Sequence, residues 1–134
     1  MTKKSNFKYI LGIQCFATMD SGACIIKADY KKKDYQYVAI SEERLIRKKY
    51  PYTFPLHSIK YCMDHFKINK LNEIDLLVSD IIREPVWERS GPSYNVTEFD
   101  CIKSILNFPK KKITQNNHHL AHAASVYYTS GFKN

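Results

Sequence analysis

The chain has 134 residues, and its 21 basic and 13 acidic side chains give a formal net charge of +8 at pH 7. Its 44% hydrophobic and 25% charged fractions are those of an ordinary globular domain, which excludes disorder. Its length supports one hydrophobic core, which excludes two independent domains. Because no uncharged apolar run approaches the ~20 residues that cross a bilayer, we expect a soluble protein without membrane contact.

The N-terminal residues and the cysteines predict a cytoplasmic location. Residues 21–24, Ser-Gly-Ala-Cys, imitate a lipoprotein cleavage site, but Asp20 adjoins them and polar residues interrupt the apolar stretch before them, so we expect no export signal. The cysteines form no Cys-x-x-Cys pair and stand among apolar neighbours, a pattern typical of reduced, buried thiols. They are Cys15, Cys24, Cys62 and Cys101.

The first half of the chain predicts three strands and a helix. Apolar and alternating runs indicate strands over Lys8–Cys15, Gly22–Ala28 and Tyr35–Ile40, with a polar turn over Asp29–Asp34, which together make a three-stranded meander. From Leu56 to Phe66 the apolar residues recur at three- and four-residue steps. Pro55 precedes them, where a helix tolerates proline, and the pattern predicts an amphipathic helix.

The second half predicts a buried strand and then a loop. Asp75–Ile82 is a nearly continuous apolar run of strand length, typical of a central, parallel strand that is covered on both faces. Arg83–Tyr94 carries two prolines and a glycine and keeps no period, so it predicts a loop, in which Trp87 could plug the edge of the core.

Two further helices and one strand complete the pattern. Asn95 opens a helix, because Glu98 follows at the spacing of a capping box. Lys112–Gln115 predicts a short strand, and His118–Tyr128 predicts an alanine-rich helix. The buried stripe expected for the helix after Asn95 is Val96, Phe99, Ile102, Ile105 and Leu106.

The order of these elements, β-β-β-α-β-α-β-α without an internal repeat, indicates an α/β fold. Three antiparallel strands followed by alternating helices and strands are the order of the RNase H-like half-domain that actin and hexokinase use twice. We therefore expect a mixed sheet flanked by helices, in one domain that comprises residues 1–134.

The sharpest local motif is a histidine cluster at the start of the last predicted helix. His118 and His122 are four residues apart, so they project from one helix face and can bind a single metal ion. His119 and His122, three apart, form an alternative pair. A stable divalent site needs at least three protein ligands, and the spacing supplies no third. A helix start with solvent-facing histidines explains the same residues.

Two further segments are candidates for a ligand site. Residues 41–49, Ser-Glu-Glu-Arg-Leu-Ile-Arg-Lys-Lys, place paired acids beside four cations, and Arg47 or Lys49 could hold phosphate or carbamate oxygens. A mixed-charge surface is the alternative. Residues 19–22, Met-Asp-Ser-Gly, predict a tight turn between the first two strands. In actin-like folds this hairpin faces the ligand cleft. An isolated Asp-Ser-Gly, however, is most often only a turn.

The positive net charge makes nucleic acid an alternative partner. Lys31–Lys33 and Lys110–Lys112 are runs that could neutralise phosphates. The chain holds 17 lysines and only 4 arginines, however, whereas proteins that read phosphates and base edges favour the arginine fork. An AT-rich coding sequence, which raises the lysine content, would explain the positive charge as a solvated surface without such a partner.

Taken together and in order, five segments resemble the N-terminal region of the carbamoyltransferase family, which includes nodulation-factor, cephamycin and aminoglycoside O-carbamoyltransferases. The strings Glu-Glu-Arg-x-x-Arg-Lys-Lys and His-His-Leu-Ala-His-Ala-Ala-Ser are its most specific parts. The segments are residues 10–13, residues 20–24, residues 42–49, residues 54–55 with 59–62, and residues 117–125.

The resemblance implies an ATP-dependent transfer of a carbamoyl group from carbamoyl phosphate, through a carbamoyl-adenylate, to an acceptor hydroxyl. It implies a divalent metal ion, iron or similar, held by His118 and His122 with an acid from later in the family's chain. It also implies that Lys49 lies near the transferring carbamoyl group, where cations stabilise charge on its oxygens.

From the resemblance and the local motifs together we assign roles to six residues outside the metal pair. Lys49 and Asp20 are assigned to catalysis. The residues assigned to substrate binding are Ser21, Glu43, Arg44 and Arg47.

The sequence departs from the family in two respects. Met19 stands where the family has a histidine suited to act as a base, and a thioether carries no proton. A full member is roughly four times as long, since it comprises several domains. We therefore expect an incomplete enzyme that needs the rest of the family's chain or a second subunit. The alternatives are an inactive remnant or binding protein of the same fold, and a basic nucleic-acid-binding module.

Incompleteness also predicts uncovered apolar surface on the last helix. The residues concerned are Val126, Tyr127, Tyr128 and Phe132. An isolated chain with such a surface is expected to be unstable or to self-associate.

Overall fold

The computed structural model describes residues 6–15, 20–51, 53–81 and 98–131, with the backbone alone at residues 80, 81, 98–101, 115, 117, 118 and 129. These residues form a five-stranded mixed sheet flanked by helices. The α/β class predicted from the sequence is therefore confirmed.

Most of the predicted elements are present, with ends that differ from the predictions by one or two residues. Short 3-10 turns at Leu71–Glu73 and Lys110–Lys112 precede the last two strands. In chain order the strands and α-helices of the described residues are β1 (Phe7–Gln14), β2 (Gly22–Asp29), β3 (Asp34–Ser41), α1 (Glu42–Ile46), α2 (Leu56–His65), β4 (Leu76–Ile81), α3 (Glu98–Leu106), β5 (Ile113–Asn117) and α4 (His118–Thr129).

The strands follow the order β3-β2-β1-β4-β5 across the sheet. β1 pairs with β2, and β2 with β3, in antiparallel ladders, which is the predicted meander. β4 runs parallel to both β1 and β5, so the prediction of a central parallel strand is confirmed. Each parallel strand is reached through a connection that contains a helix, as parallel pairing requires.

Alternation along the strands places one apolar row in the core. Leu11 and Ile13 of β1 are buried and lie opposite Ile25 and Ala23 of β2, while Leu77 of β4 lies opposite Leu11. Because side chains of a strand alternate between the two faces, these residues share one face of the sheet. The helices and the loop before β5 add to this core Ile59, Cys62, Ile102, Leu106 and Phe108.

Two predictions about helices are wrong. Ile105 was expected in the buried stripe of α3 but is 45% exposed, because it lies to one side of the line that joins buried Ile102 and Leu106. The helix α1 is absent from the predicted element order. It has five residues, of which only Leu45 and Ile46 are apolar, so no helical period is visible in the sequence.

Polar contacts fix the start of β4. Lys8 donates to Asp75 Oδ1 at 2.6 Å, and the backbone N–H of Tyr9 donates to Asp75 Oδ2 at 3.0 Å. Burial alone would raise the pKa of the Asp75 carboxyl, but these contacts with Lys8 and Tyr9 lower that pKa below its ordinary value. On the β5 side, Lys112 donates to the carbonyls of Asn72 and Ile74 at 3.3 and 2.8 Å.

Several sequence predictions concern residues outside the described ranges or their side chains. The loop Arg83–Tyr94 with Trp87, the opening of α3 at Asn95, and Met19 are in this group. So is the thiol of Cys101. The other three cysteines are free thiols: Cys15 and Cys62 are buried, and Cys24 is half-buried.

The last helix exposes apolar side chains. Val126, Tyr127 and Tyr128 are all exposed, as expected from the sequence, and Leu120 adds to the same helix's exposed apolar residues. Phe132 lies outside the described residues. Self-association through this helix stays a prediction. None of the helices in the described ranges is long and apolar enough to span a membrane.

Candidate functional site

One edge of the sheet collects the segments that the sequence analysis singled out. β1, β4 and β5 run parallel and end at this edge, while β2 begins there and β3 ends there, as the pairs Gln14–Gly22 and Gly22–Ser41 show. We call it the carboxyl edge. Open α/β sheets bind ligands outside the carboxyl ends of their parallel strands. The turn before β2, the start of α1 and the start of α4 all lie at this edge.

The turn before β2 contains two of the predicted site residues. Asp20 is exposed, whereas Ser21 is 3% exposed. The Ser21 carbonyl accepts the backbone N–H of Glu42 at 2.8 Å, which joins this turn to the start of α1. The Ser21 Oγ has no hydrogen-bond partner among the described residues. Buried hydroxyls almost always have a partner, so this hydroxyl could contact a ligand.

A buried carboxylate connects α1 to α2. Glu42 is 1% exposed, and its Oε2 accepts the backbone N–H of Ser58 at 2.8 Å and the Ser58 hydroxyl at 2.6 Å. Its Oε1 lies 2.6 Å from Nδ1 of His57 and accepts the backbone N–H of that residue at 3.2 Å. These two N–H groups belong to the first turn of α2, which has no side-chain cap of its own. Glu42 therefore caps α2 from a distance in sequence.

The Glu42 carboxyl is held in its ionised form. Burial by itself would raise its pKa, but the hydrogen bonds from Ser58 and His57 outweigh burial and lower the pKa below its ordinary value. The positive end of the α2 dipole acts in the same direction.

The cationic segment follows α1 along the chain. Arg44, Arg47 and Lys49 are exposed, and Glu43 is half-buried. The side chains of these four residues make no hydrogen bond or ion pair with another described residue, so the predicted substrate-binding groups and Lys49 have no structural partner within the described part of the chain. Arg47 ends α1 in the left-handed conformation, with φ of 55°, and directs the chain away from the helix.

The histidine cluster begins α4 directly after β5. His118 is the first residue of the helix, and its side chain lies outside the description, while His119 and His122 are exposed. Among the described residues no group of three or more His, Cys, Asp or Glu side chains could hold a metal ion. The pairing of His118 with His122 therefore stays a prediction.

The carboxyl edge thus brings some of the predicted residues into contact and leaves others apart. Ser21 and the start of α1 are hydrogen-bonded neighbours at the β2–β3 side. The start of α4 follows β5, three strands from β2, or about 14 Å at the usual strand spacing. A ligand that contacts both Ser21 and His122 would have to span the middle of this edge.

Sequence reasoning missed the roles of Glu42, His57 and Ser58. One signal was available: the helix after Pro55 begins Leu-His-Ser, without a Ser, Thr, Asp or Asn at the capping position. A helix that lacks its own cap often takes one from elsewhere in the chain. Nothing in the spacing of 15 residues identifies Glu42 as that partner.

The two lysine runs differ in their surroundings. Lys31–Lys33 are exposed in the turn between β2 and β3, at the opposite end of the sheet from the carboxyl edge. Tyr35 and Tyr37, which follow on β3, are also exposed, with ring centroids 6.4 Å apart. In the second run, Lys112 is bound to backbone carbonyls.

Comparison with protein-family models and with curated proteins finds no match for this sequence.

Proposed function

We propose that the chain forms the N-terminal segment of an ATP-dependent O-carbamoyltransferase, with an RNase H-like half-domain as its fold. The strand order β3-β2-β1-β4-β5, with β1 antiparallel to β2 and parallel to β4, supports that fold. The function rests on one observation: three of the five segments that carry the family resemblance start or end at the carboxyl edge. These are the Asp20–Ser21 turn, residues 42–49, and the start of α4.

The exposed cations supply the chemistry that such a reaction needs. Arg44, Arg47 and Lys49 are exposed and without partners among the described residues, so they are available to neutralise phosphate oxygens and the developing charge on a carbamoyl oxygen. Ser21 could donate a hydrogen bond to the same group. Asp20 is exposed on the adjacent turn and would orient an acceptor hydroxyl.

The metal ion implied by the family would be held by His118 and His122. Imidazole nitrogens suit iron and similar divalent ions, and one helical turn separates the two residues. When bound, the ion would polarise the carbonyl or phosphate oxygen that it contacts. The third ligand and the adenylate-forming domain belong to the remainder of the family's chain or to a second subunit.

Binding of carbamoyl phosphate to the ¹⁵N-labelled chain tests this function directly. Amide shifts should concentrate at residues 20–22 and 42–49, and Lys49→Met should weaken binding about tenfold, the effect of one charge-assisted hydrogen bond. Lys33→Met is the matched control, since Lys33 is an exposed lysine at the opposite end of the sheet. Equal weakening by both variants, or shifts no different from those caused by inorganic phosphate, would contradict the proposal.

A metal titration tests the histidine pair separately. Two protein ligands predict weak binding of a divalent ion, which His118→Ala should abolish while the far-ultraviolet circular dichroism stays unchanged. An unchanged titration in that variant would remove the metal site. A well-folded chain that binds neither carbamoyl phosphate nor metal would favour the inactive remnant.

A nucleic-acid-binding module is the second candidate, because one observation favours it. Exposed Tyr35 and Tyr37 adjoin the exposed Lys31–Lys33 turn, and aromatic side chains beside lysines are typical of single-strand binding surfaces. Fluorescence anisotropy with a single-stranded oligonucleotide tests it. Binding whose affinity falls steeply with salt and is lost in Tyr37→Ala would support this candidate, and no binding at low salt would exclude it.

A further inference from the structure

A buried carboxylate holds an exposed imidazole at the carboxyl edge. The Glu42 side chain is 1% exposed, whereas the side chain of His57, its partner at 2.6 Å, is 68% exposed. Surface ion pairs usually leave both groups mobile in water. Here the carboxylate is fixed by two hydrogen bonds from Ser58 and by the backbone N–H of His57. The imidazole is therefore bound to a rigid anchor.

This contact selects one form of the neutral imidazole. An ionised carboxylate only accepts hydrogen bonds, so Nδ1 of His57 must carry the proton that it donates to Glu42. Nε2 then holds a lone pair. Carboxylates orient histidines in this way both in catalytic sites and in metal sites. The exposure of the ring leaves this lone pair accessible to a substrate.

His57 lies close to the turn that carries the predicted substrate-binding residues. Two hydrogen bonds connect them: Glu42 binds His57 through its carboxylate and the Ser21 carbonyl through its backbone N–H. The buried Ser21 hydroxyl, without a partner in the described ranges, belongs to the same cluster. A substrate hydroxyl that reaches the exposed imidazole of His57 would find a proton acceptor beside this turn.

We propose that His57 is the proton acceptor for the hydroxyl that receives the transferred group, and that Glu42 is its positioning residue. The inference rests on the proposed function. Nε2 of His57 takes the proton of the acceptor hydroxyl while the oxygen of that hydroxyl bonds to the carbamoyl carbon of the carbamoyl-adenylate. The bond from that carbon to the phosphate oxygen breaks, and its electron pair leaves on AMP. The proton on His57 then passes to solvent, so the step needs no further reactant.

Two measurements on the chain itself test the imidazole without carbamoyl phosphate or ATP. Long-range ¹H–¹⁵N correlation spectra at pH 8 should show His57 protonated at Nδ1, and Glu42→Gln should shift it to a mixture of both neutral forms. Diethyl pyrocarbonate, followed by peptide mass spectrometry, should modify His57 about tenfold faster than His65. His65 is the matched control, an exposed histidine on the same helix whose ring contacts Phe66 and binds no carboxylate among the described residues.

The outcomes separate this inference from the proposed function. His57 protonated at Nε2, or His57 no more reactive than His65, would overturn the inference even if carbamoyl phosphate binds. A reactive His57 in a chain that fails to bind carbamoyl phosphate would overturn the proposed function and, with it, the assigned substrate. In a complete transferring enzyme, His57→Gln should lower kcat about 100-fold with the KM for carbamoyl phosphate unchanged, and His65→Gln should not. An unchanged kcat would overturn the inference.

Discussion

Replacing Glu42 should destabilise the fold more than any other change to the charged segment. Glu42→Ala removes the acceptor of four hydrogen bonds and leaves the backbone N–H groups of His57 and Ser58 without a partner at the start of α2. A buried donor left unsatisfied costs about 1–3 kcal/mol, and a lost cap costs about 1 kcal/mol. We therefore expect Glu42→Ala to lower the free energy of unfolding by about 2–4 kcal/mol.

Glu42→Gln should cost less, for a geometric reason. The amide has the same shape but presents an acceptor on one side only, so its oxygen can serve either Ser58 or His57. The NH2 group of the glutamine side chain then faces the backbone N–H of whichever residue the oxygen does not bind. The Ser58 hydroxyl or the His57 imidazole can reorient to accept a hydrogen bond from this NH2 group. The backbone N–H of that residue, however, loses its acceptor and faces another donor. The expected cost is about 1–3 kcal/mol.

Urea unfolding at pH 7 measures both variants against Glu43→Gln. Glu43 is the next residue, half-buried and without polar partners among the described residues, so its change should stay within about 0.5 kcal/mol. The lowered pKa of Glu42 also predicts the direction in which stability changes with pH. Stabilisation by Glu42 is present above its ordinary pKa of 4.5 and is lost as the pH falls through the lower value of the folded state. Equal losses in Glu42→Ala and Glu43→Gln would refute the capping role.

Three further predictions concern the core and the lysines. A Cβ on Gly12 would lie 2.7 Å from the Sγ of Cys24, so Gly12→Ala should lower the free energy of unfolding by about 1–3 kcal/mol. The double variant with Cys24→Ala should recover most of this loss, as measured by urea unfolding. Lys112→Met removes hydrogen bonds to two carbonyls and should cost about 1 kcal/mol, whereas exposed Lys111→Met should cost nothing measurable. Burial, and then nearby Cys24, raise the pKa of the Cys62 thiol to about 11 from 9.0. The folded state thus favours the neutral thiol, so the contribution of Cys62 to the free energy of unfolding is complete below pH 9 and falls by about 2 kcal/mol as the pH rises to 11. Cys62→Ala should lose this pH dependence, and a wild-type slope in that variant would contradict it.

The sheet could be predicted from the sequence because its signals are local. Short apolar runs indicated the first two strands, and the continuous apolar run around Leu77 indicated a strand buried on both sides. The helix at Leu56 was equally visible in its period. The helix at Glu42 was not, since five residues with two apolar side chains carry no period, and packing against α2 and the sheet determines its conformation.

The candidate site was predictable in outline and not in its contacts. Chain order alone places the turn at Asp20 and the start of α4 at one edge, because parallel strands end on the same side of a sheet. The burial of Ser21 and the pairing of Glu42 with His57 depend on side chains 15 or more residues apart. No pattern of spacing encodes such pairs. The same limit applies to Lys112, which the sequence presents as part of a basic run and the fold uses to bind carbonyls.

The double role of Glu42 can be divided, because its two groups of partners differ in exposure. Ser58 is fully buried, whereas the side chain of His57 is 68% exposed. A hydrogen bond to an exposed imidazole contributes little to stability, typically less than about 1 kcal/mol, so a double-mutant cycle of Glu42→Gln with His57→Gln should give a coupling below that value. The cycle with Ser58→Ala should give a coupling above it. If the Glu42–His57 coupling energy were larger than the Glu42–Ser58 coupling energy, the imidazole would be a structural partner of α2. That result would contradict the proposal that the imidazole is available to a substrate.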